Sequence, residues 1–184
     1  MGAGPIASSY CLMAPSHPVH GPYHDNEYGF PLAGDAALLE RLALEINQAG
    51  LSWLLVLKRR AEFRRAFQGF EPDRLRRYGA REVRRLLGDP GVIRNRKKIE
   101  AVIENARRVV ALRGSHGSFA AWLDANHPLA LADWVKLFRA TFVFTGPEVV
   151  REFLVSVGYL AGAHDESCPV FGRIARLGPP WMRI

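Results

Sequence analysis

Apolar residues recur at intervals of three and four positions in most long segments of this chain. The clearest of these stripes would lie on one face of a helix and consists of Ile99, Val102, Ile103, Ala106 and Val110. Evidence for strands is thin, because only residues 140–145 read as extended and a buried approach to a helix fits them better. The pattern predicts an all-α protein.

The chain of 184 residues is long enough for one domain with a hydrophobic core. We expect a single domain over residues 1–184, in which residues 1–22 form an extended arm because they are rich in Gly, Pro, Ser and His. No apolar run is long enough for a membrane span, and the N-terminus lacks the features of a signal peptide. These features predict a cytoplasmic protein with no membrane partner.

Start and stop residues place the first helices. A helix is expected over about 35–48, with Asp35 as its N-cap and Gly50 ending it, and a second over 52–67 with Ser52 as its cap. Shorter helices are expected at 73–78, 81–87, 119–126 and 134–138, and a longer one at 146–157.

A carboxylate interrupts the apolar face of the first of these helices. Leu38, Leu42, Glu45 and Ala49 fall on one side of it, and a buried carboxylate is unfavourable without a partner. Glu45 either lies at the edge of the stripe and pairs with an Arg or a backbone amide, or it lines a binding site. The following turn would bring Trp53 back towards Glu45, and an acid beside a large ring suits a flat heteroaromatic ligand.

Positive charge is concentrated in the middle of the chain. Lys and Arg total 25 against 18 Asp and Glu, and residues 58–113 alone contain 18 basic and 7 acidic residues. This distribution favours a polyanionic partner such as nucleic acid, although a solvated, Arg-rich helical surface would have the same composition.

A tight turn at Gly88-Asp-Pro-Gly-Val-Ile93 separates two helices, and the second begins in Arg94-Asn-Arg-Lys-Lys98. This arrangement is a helix-hairpin-helix over residues 88–112, in which Gly91 would let the backbone approach a phosphate and the amides of the second helix would face it. Flanking charge would come from Arg94, Arg96, Lys97 and Lys98. An ordinary helical hairpin with a basic face is the alternative.

Two cysteines lie at opposite ends of the chain. His164 and Cys168 are four residues apart, and with Cys11 and His24 they would make a closed tetrahedral zinc set that joins both termini. Free thiols are the alternative for the cysteines, and His17, His20, His116 and His127 are alternative ligands.

Several stretches together resemble the bacterial DNA-3-methyladenine glycosylase I family, within the helix-hairpin-helix superfamily. They are Tyr23-His-Asp-Asn-Glu-Tyr-Gly29, Glu45 with Gln48-Ala-Gly-Leu-Ser-Trp53, Val56-Leu-Lys-Arg59, Gly91-Val-Ile-Arg-Asn-Arg-Lys-Lys-Ile99 with Asn105-Ala-Arg107, and His164 with Cys168. The resemblance implies a helix-hairpin-helix glycosylase fold in which Cys11, His24, His164 and Cys168 bind a structural zinc ion. It also implies excision of 3-methyladenine from alkylated double-stranded DNA, by a protein expected to be a monomer.

The resemblance further implies roles for individual residues. Glu45 matches the base-recognising carboxylate, and Tyr23, Tyr28, Trp53 and Asn47 would line the base pocket. Leu51 is either the side chain that fills the stack vacated by the flipped base or an ordinary exposed leucine. No Asp or Glu occurs between Asn105 and Asp124, so we expect a monofunctional glycosylase without a lyase step.

The chain also departs from the family pattern. Tyr28 stands where the family usually has Trp, Asn47 where it tends to have another amide or an aromatic residue, and Glu148 and Arg151 replace its Thr and Tyr. The departures leave two alternatives open: a non-catalytic paralogue that binds DNA or a nucleobase, and a glycosylase for another damaged purine.

Overall fold

The computed structural model describes residues 9–183, and the Ser9 side chain lies outside that description. Within this range every regular element is helical, which confirms the all-α prediction. Of the helices that the structure describes, none combines the length and apolarity needed to cross a membrane. The chain divides into two compact units. The first contains the residues up to Pro31 and those from Leu154 onwards, and the second is Leu32–Phe153.

The α-helices are numbered in chain order. They are α1 Ser9–Met13, α2 His20–Asn26, α3 Asp35–Gln48, α4 Trp53–Lys58, α5 Arg60–Ala66, α6 Pro72–Leu75, α7 Ala80–Gly88, α8 Arg96–His116, α9 Phe119–Asn126, α10 Leu131–Thr141, α11 Pro147–Ser156 and α12 Pro169–Ala175. Two short 3₁₀ turns, Gln68–Phe70 and Pro180–Met182, complete the set.

The ends of α3 and α4 follow local sequence signals closely. Gly50 has φ +79° just after α3, a conformation that glycine adopts without strain, and the Ser52 hydroxyl accepts from Leu55 N–H at the start of α4. The prediction that Asp35 is the N-cap of α3 was wrong, because the helix is capped by Gly34. The Asp35 carboxylate instead accepts from Phe119 N–H at 2.9 Å and pairs with Arg113 at 2.6 Å.

Two further expectations differ from the structure. The described part of the predicted arm, residues 9–22, includes α1 and the start of α2, and residues 1–8 lie outside the description. Buried His20, Tyr23 and His24 fix α2, so side-chain packing outweighs the coil-forming composition of this segment. The helix expected over 52–67 is broken at Arg59, where ψ is 2°.

In the second unit α8 is the central element and packs against α3, α6, α7 and α9. Its buried face includes Ile99, Val102, Ile103 and Ala106 of the predicted stripe, whereas Val110 is half-buried and its neighbour Val109 is buried. Buried aromatic rings from α9, from α10 with its C-cap, and from α11 form a second part of the core. They are Phe119, Trp122, Trp134, Phe138, Phe142 and Phe153. The rings of Phe119 and Phe153 stack at 5.7 Å between centroids. This aromatic core fixes the loop that follows α10.

In the first unit α1 carries Cys11, α2 carries His24, and Cys168 is the N-cap of α12. Cys168, Val170 and Ile174 form a small buried cluster, and Cys11 and Phe30 pack against it. This cluster brings residues from opposite ends of the sequence together.

Candidate functional site

The carboxylate of Glu45 on α3 is buried, with 5% of the residue exposed. Its side chain has neither a hydrogen bond nor an ion pair with any described residue. The pKa of Glu45 is raised to about 8, and burial is the main cause. The positive charge of Arg41, one turn earlier, partly opposes this shift, and the negative charge of Glu152 adds to it. A buried carboxyl group of this kind is stabilised by a cation brought to it.

Other residues predicted for the site follow Glu45 closely in sequence, at the end of α3 and the start of α4. Asn47 is buried, and its amide nitrogen donates one hydrogen bond to the Ala43 carbonyl at 2.8 Å, so its second N–H and its oxygen remain for a ligand. Trp53 is half-buried and begins α4, which packs against α3. Leu51 is half-buried in the turn between the two helices. This turn therefore places Leu51 between the helix that carries Glu45 and the helix that begins with Trp53.

The two tyrosines predicted for the base pocket lie in the first unit. Tyr23 is buried and Tyr28 half-buried, and their rings are 5.7 Å apart. Tyr10 makes an edge-on contact with Tyr28 at 5.6 Å. This small aromatic group was only partly predicted, since no pattern in the sequence places Tyr10 beside the other two rings.

The four predicted metal ligands converge. One ligand atom from each of Cys11, His24, His164 and Cys168 lies within 4.8 Å of the others. His164 Nδ1 is 3.6 Å from both sulfur atoms, and His24 Nε2 is 3.8 Å from Cys168 Sγ. Zn–S bonds of about 2.3 Å and Zn–N bonds of about 2.0 Å in a tetrahedron give S···N edges of about 3.6 Å. The donor set therefore has the spacing of a tetrahedral metal site.

The nitrogens of these histidines that face away from the cluster also have partners. His24 Nδ1 lies 2.7 Å from the Asp25 carboxylate, and His164 Nε2 lies 2.8 Å from the Tyr28 carbonyl. Such outer hydrogen bonds orient an imidazole and select its tautomer. Burial lowers the pKa of His164, which favours the neutral ring that a metal requires. Asp25 was missed in the sequence, although its position directly after His24 was a usable signal.

The turn between α7 and α8 is held by side chains of α5. Asp89 accepts from Arg65 at 2.9 Å and from Gly91 N–H at 2.9 Å, and the Gly91 hydrogen bond is the main reason that the pKa of Asp89 is lowered. A Cβ on Gly91 would lie 2.7 Å from Glu62 Cβ. The small size of Gly91 thus admits Glu62, and its amide binds Asp89. The approach of a phosphate to this backbone stays a prediction.

The first turn of α8 presents both amides and charge. The Asn95 side chain caps it by accepting from Lys98 N–H, and the N–H groups of Arg96 and Lys97 have no acceptor among the described residues. Arg94, Arg96 and Lys97 are exposed, and Arg96 pairs with Glu100 at 3.3 Å. Together these groups form a surface suited to an anion.

Lys98 differs from its basic neighbours. It is buried, and its Nζ donates to the carbonyls of Asn47 at 2.9 Å and Ala49 at 2.6 Å. The phosphate contact predicted for Lys98 was wrong, because its ammonium group faces the end of α3. Lys98 connects the helix that carries Glu45 to the start of α8.

Comparisons with known proteins identify the family. Residues 13–134 match the family described as methyladenine glycosylase. A DNA-3-methyladenine glycosylase of Haemophilus influenzae is 32% identical over 166 residues, which cover 80% of this chain and 89% of that protein. The chain belongs to the methyladenine glycosylase family. A second relative in this family, DNA-3-methyladenine glycosylase 1 of Escherichia coli, is 39% identical over 119 residues, 64% of each chain.

Solved structures of methyladenine glycosylases have the same fold. The 3-methyladenine DNA glycosylase I of Staphylococcus aureus has a TM-score of 0.78 at 30% identity and covers 90% of this chain and 97% of its own. A variant of a 3-methyladenine DNA glycosylase I in complex with 3-methyladenine also has a TM-score of 0.78 at 30% identity, with coverage of 88% and 96%. The resemblance to the DNA-3-methyladenine glycosylase I family, stated from sequence motifs, is thereby confirmed.

Proposed function

We propose that this protein is a monofunctional DNA-3-methyladenine glycosylase that excises the alkylated base from double-stranded DNA. Membership of a family whose relatives have this name supports the proposal. The observation that carries it is the Glu45 carboxyl group, which is buried and has no ion-pair or hydrogen-bond partner among the residues that the structure describes. A site built in this way favours a cationic purine over neutral adenine.

In this mechanism the target nucleotide leaves the base stack, at a cost of a few kcal/mol that damage partly reduces. Leu51, on the turn after α3, fills the vacated position. Because 3-alkylation makes adenine cationic, the base is already a good leaving group. Glu45 ionises on binding it, despite the raised pKa in the empty protein, and the carboxylate stabilises and positions the base while water completes hydrolysis.

The DNA backbone is bound by a helix-hairpin-helix composed of α7, the turn and α8. The N–H groups of Arg96 and Lys97 point out of the start of α8, a helix of 21 residues, with exposed Arg94 beside them. Such a contact recognises phosphates and not sequence. The alkylated base is then selected in the pocket and not by this surface.

The decisive experiment is chromatography of the bases released from methylated duplex DNA. We expect the wild type to release 3-methyladenine and Glu45→Gln, which preserves shape but cannot ionise, to lose at least 100-fold in rate. Glu40→Gln is the matched control, because Glu40 is a buried carboxylate of the same helix that is paired with Arg60 and Arg64. Absence of release by the wild type would favour a binding protein, and release of another base would identify a different purine as substrate.

We also propose that Cys11, His24, His164 and Cys168 bind a structural zinc ion. Two thiolates and two imidazoles complete a tetrahedron and leave no position for a reacting water, so the metal would join the terminal segments of the first unit. The support is the S···N spacing of 3.6–3.8 Å and the outer contacts of both histidines.

Metal analysis of purified protein tests the zinc site. One equivalent of zinc is expected in the wild type and in the control His17→Ala, since His17 accepts hydrogen bonds from the backbone of Val19 and His20. Cys168→Ser should contain little zinc, and Asp25→Ala should bind it about 10- to 100-fold more weakly. Equal zinc content in wild type and Cys168→Ser would reject this ligand set.

A further inference from the structure

Phe144, in the loop between α10 and α11, has two unusual properties. It is 39% exposed, and it is the single large hydrophobic side chain of Leu32–Phe153 that the structure leaves exposed. Its φ is +61°, in the left-handed region that bulky residues rarely adopt. An unfavourable backbone conformation persists only when the surroundings enforce it, and such positions cluster at functional sites.

The surroundings do enforce this conformation, from both neighbours in sequence. The fully buried amide of Asn105 on α8 donates to the Val143 carbonyl at 3.1 Å and accepts from the Val143 N–H at 2.8 Å. On the other side the buried Thr145 hydroxyl is within hydrogen-bond distance of the Phe138 and Phe142 carbonyls, at 3.2 and 3.4 Å. The ring of Phe144 is therefore held at the surface by its anchored neighbours.

The position of the ring follows from Lys98. The Nζ of Lys98 lies 6.0 Å from the centroid of the Phe144 ring and donates to the carbonyls at the end of α3. Residue 98 belongs to the first turn of α8, and the end of α3 leads directly into the turn that carries Leu51. The exposed ring thus lies beside two elements that the proposed function assigns to the DNA surface.

The chemistry around the ring narrows the choice of partner. Phe144 lines a cavity of about 610 Å³ together with the other residues of 142–149, which include the exposed Glu148, and with Ala49 and the exposed Arg139. An exposed aromatic face, with the exposed Arg139 in the same cavity and the first turn of α8 beside it, suits a planar group attached to an anionic chain. A nucleotide within a DNA strand has this combination.

We propose that Phe144 is a second inserted residue, which stacks on a nucleobase of the opened duplex next to the position of the flipped base. The proposal rests on the DNA-binding part of the proposed function and adds a residue that its base pocket does not contain. Apolar side chains inserted in this manner unstack a base step and hold the bent duplex. Phe144 then stabilises the flipped state of DNA, whereas Glu45 selects the base.

The test uses the full chain and a duplex with a stable abasic-site analogue flanked by the fluorescent base 2-aminopurine. Wild-type binding should quench the fluorescence of the flanking base. Phe144→Gly should bind this duplex about 10- to 100-fold more weakly and change the fluorescence little, because a stacked base contributes about that much. Phe144→Tyr should have the affinity and the fluorescence quenching of wild type. Phe144→Leu should reach neither fully.

Glycine is chosen because it accepts a positive φ freely, so Phe144→Gly should unfold at the same temperature as wild type or higher. Leu177→Ala is the control for loss of an exposed apolar side chain, since Leu177 is 57% exposed in the first unit, and it should bind like wild type. Binding of free 3-methyladenine should be unchanged in Phe144→Gly, because the base pocket is intact.

The outcomes separate this inference from the proposed function. Affinity and quenching equal to wild type in Phe144→Gly would overturn the inference, even if the wild type releases 3-methyladenine. Quenching that depends on Phe144 in a protein that releases no base would support the inference and reject the enzymatic function.

Discussion

The buried carboxyl group of Glu45 links ligand selection to stability at the scale of a single residue. Its pKa is about 8 in the folded protein and near 4.5 in the unfolded chain, because burial disfavours the charged form. The folded state therefore binds one more proton between these values, and stability falls as the pH rises from about 4.5 to about 8. The shift corresponds to at most about 5 kcal/mol.

Glu45→Gln should remove this dependence. At pH 8.5 the variant should be more stable than wild type by a few kcal/mol, and near pH 4.5 the two should be equal. Denaturant unfolding at the two pH values measures the difference. Glu40→Gln should show the opposite effect at pH 8.5, because it breaks ion pairs with Arg60 and Arg64 at 2.6 and 2.8 Å. A parallel pH dependence in wild type and Glu45→Gln would contradict the burial of an ionisable group at this position.

At the scale of elements, the contact between α3 and α8 depends on one ammonium group. Lys98→Met leaves the carbonyls of Asn47 and Ala49 without their donor, so we expect a loss of about 1–3 kcal/mol in the free energy of unfolding. Lys97→Met removes the same charge from the exposed neighbour and should change stability by less than about 0.5 kcal/mol. Equal effects of the two substitutions would show that the Lys98 ammonium does not hold α3.

The hairpin turn provides a second comparison between neighbouring positions. Gly91→Ala places a Cβ 2.7 Å from Glu62 Cβ and should destabilise the protein by about 1–3 kcal/mol. Gly88→Ala, at the end of α7, meets no atom within 4 Å and should be neutral or stabilising by up to about 1 kcal/mol. Thermal unfolding of both variants tests whether the turn needs glycine for space beside α5.

The same elements show how far the sequence determines the structure. Local signals predicted the bounds of α9 to the residue and those of α3 closely, although the N-cap of α3 is Gly34 and not Asp35. The inward direction of Lys98 was not predictable, since Lys97 and Lys98 are equivalent in composition and only the packing of α3 on α8 distinguishes them. Phe144 gave no signal at all, because its exposure results from distant Asn105 and from the end of α10.

At the scale of the whole molecule, the positive charge found in the sequence should control DNA affinity. Many arginines of the basic region are paired with carboxylates, including Arg65 with Asp89 and Arg113 with Asp35. Arg94 and Lys97, by contrast, are exposed, and no described carboxylate lies within ion-pair distance of either. The net charge is therefore larger than the number of cationic side chains that remain available to bind phosphates would suggest.

Salt titration of DNA binding measures that surface. Arg94→Gln and Lys97→Gln should each reduce the slope of log Kobs against log salt concentration by about one. Lys136→Gln, on α10 with its side chain 78% exposed, should leave the slope unchanged. If all three substitutions had equal effects, binding would depend on total charge and the hairpin would not be the contact.

The imidazole of His164 connects the cysteines to the backbone of Tyr28. Its Nδ1 faces both cysteine sulfurs, and its Nε2 lies 2.8 Å from the Tyr28 carbonyl. If zinc is bound as proposed, oxidation of either thiol releases the ring and with it the backbone support of Tyr28. An oxidant would then inactivate the enzyme without touching Glu45 or the hairpin. The activity of this protein on alkylated DNA would then be sensitive to oxidants that react with thiols.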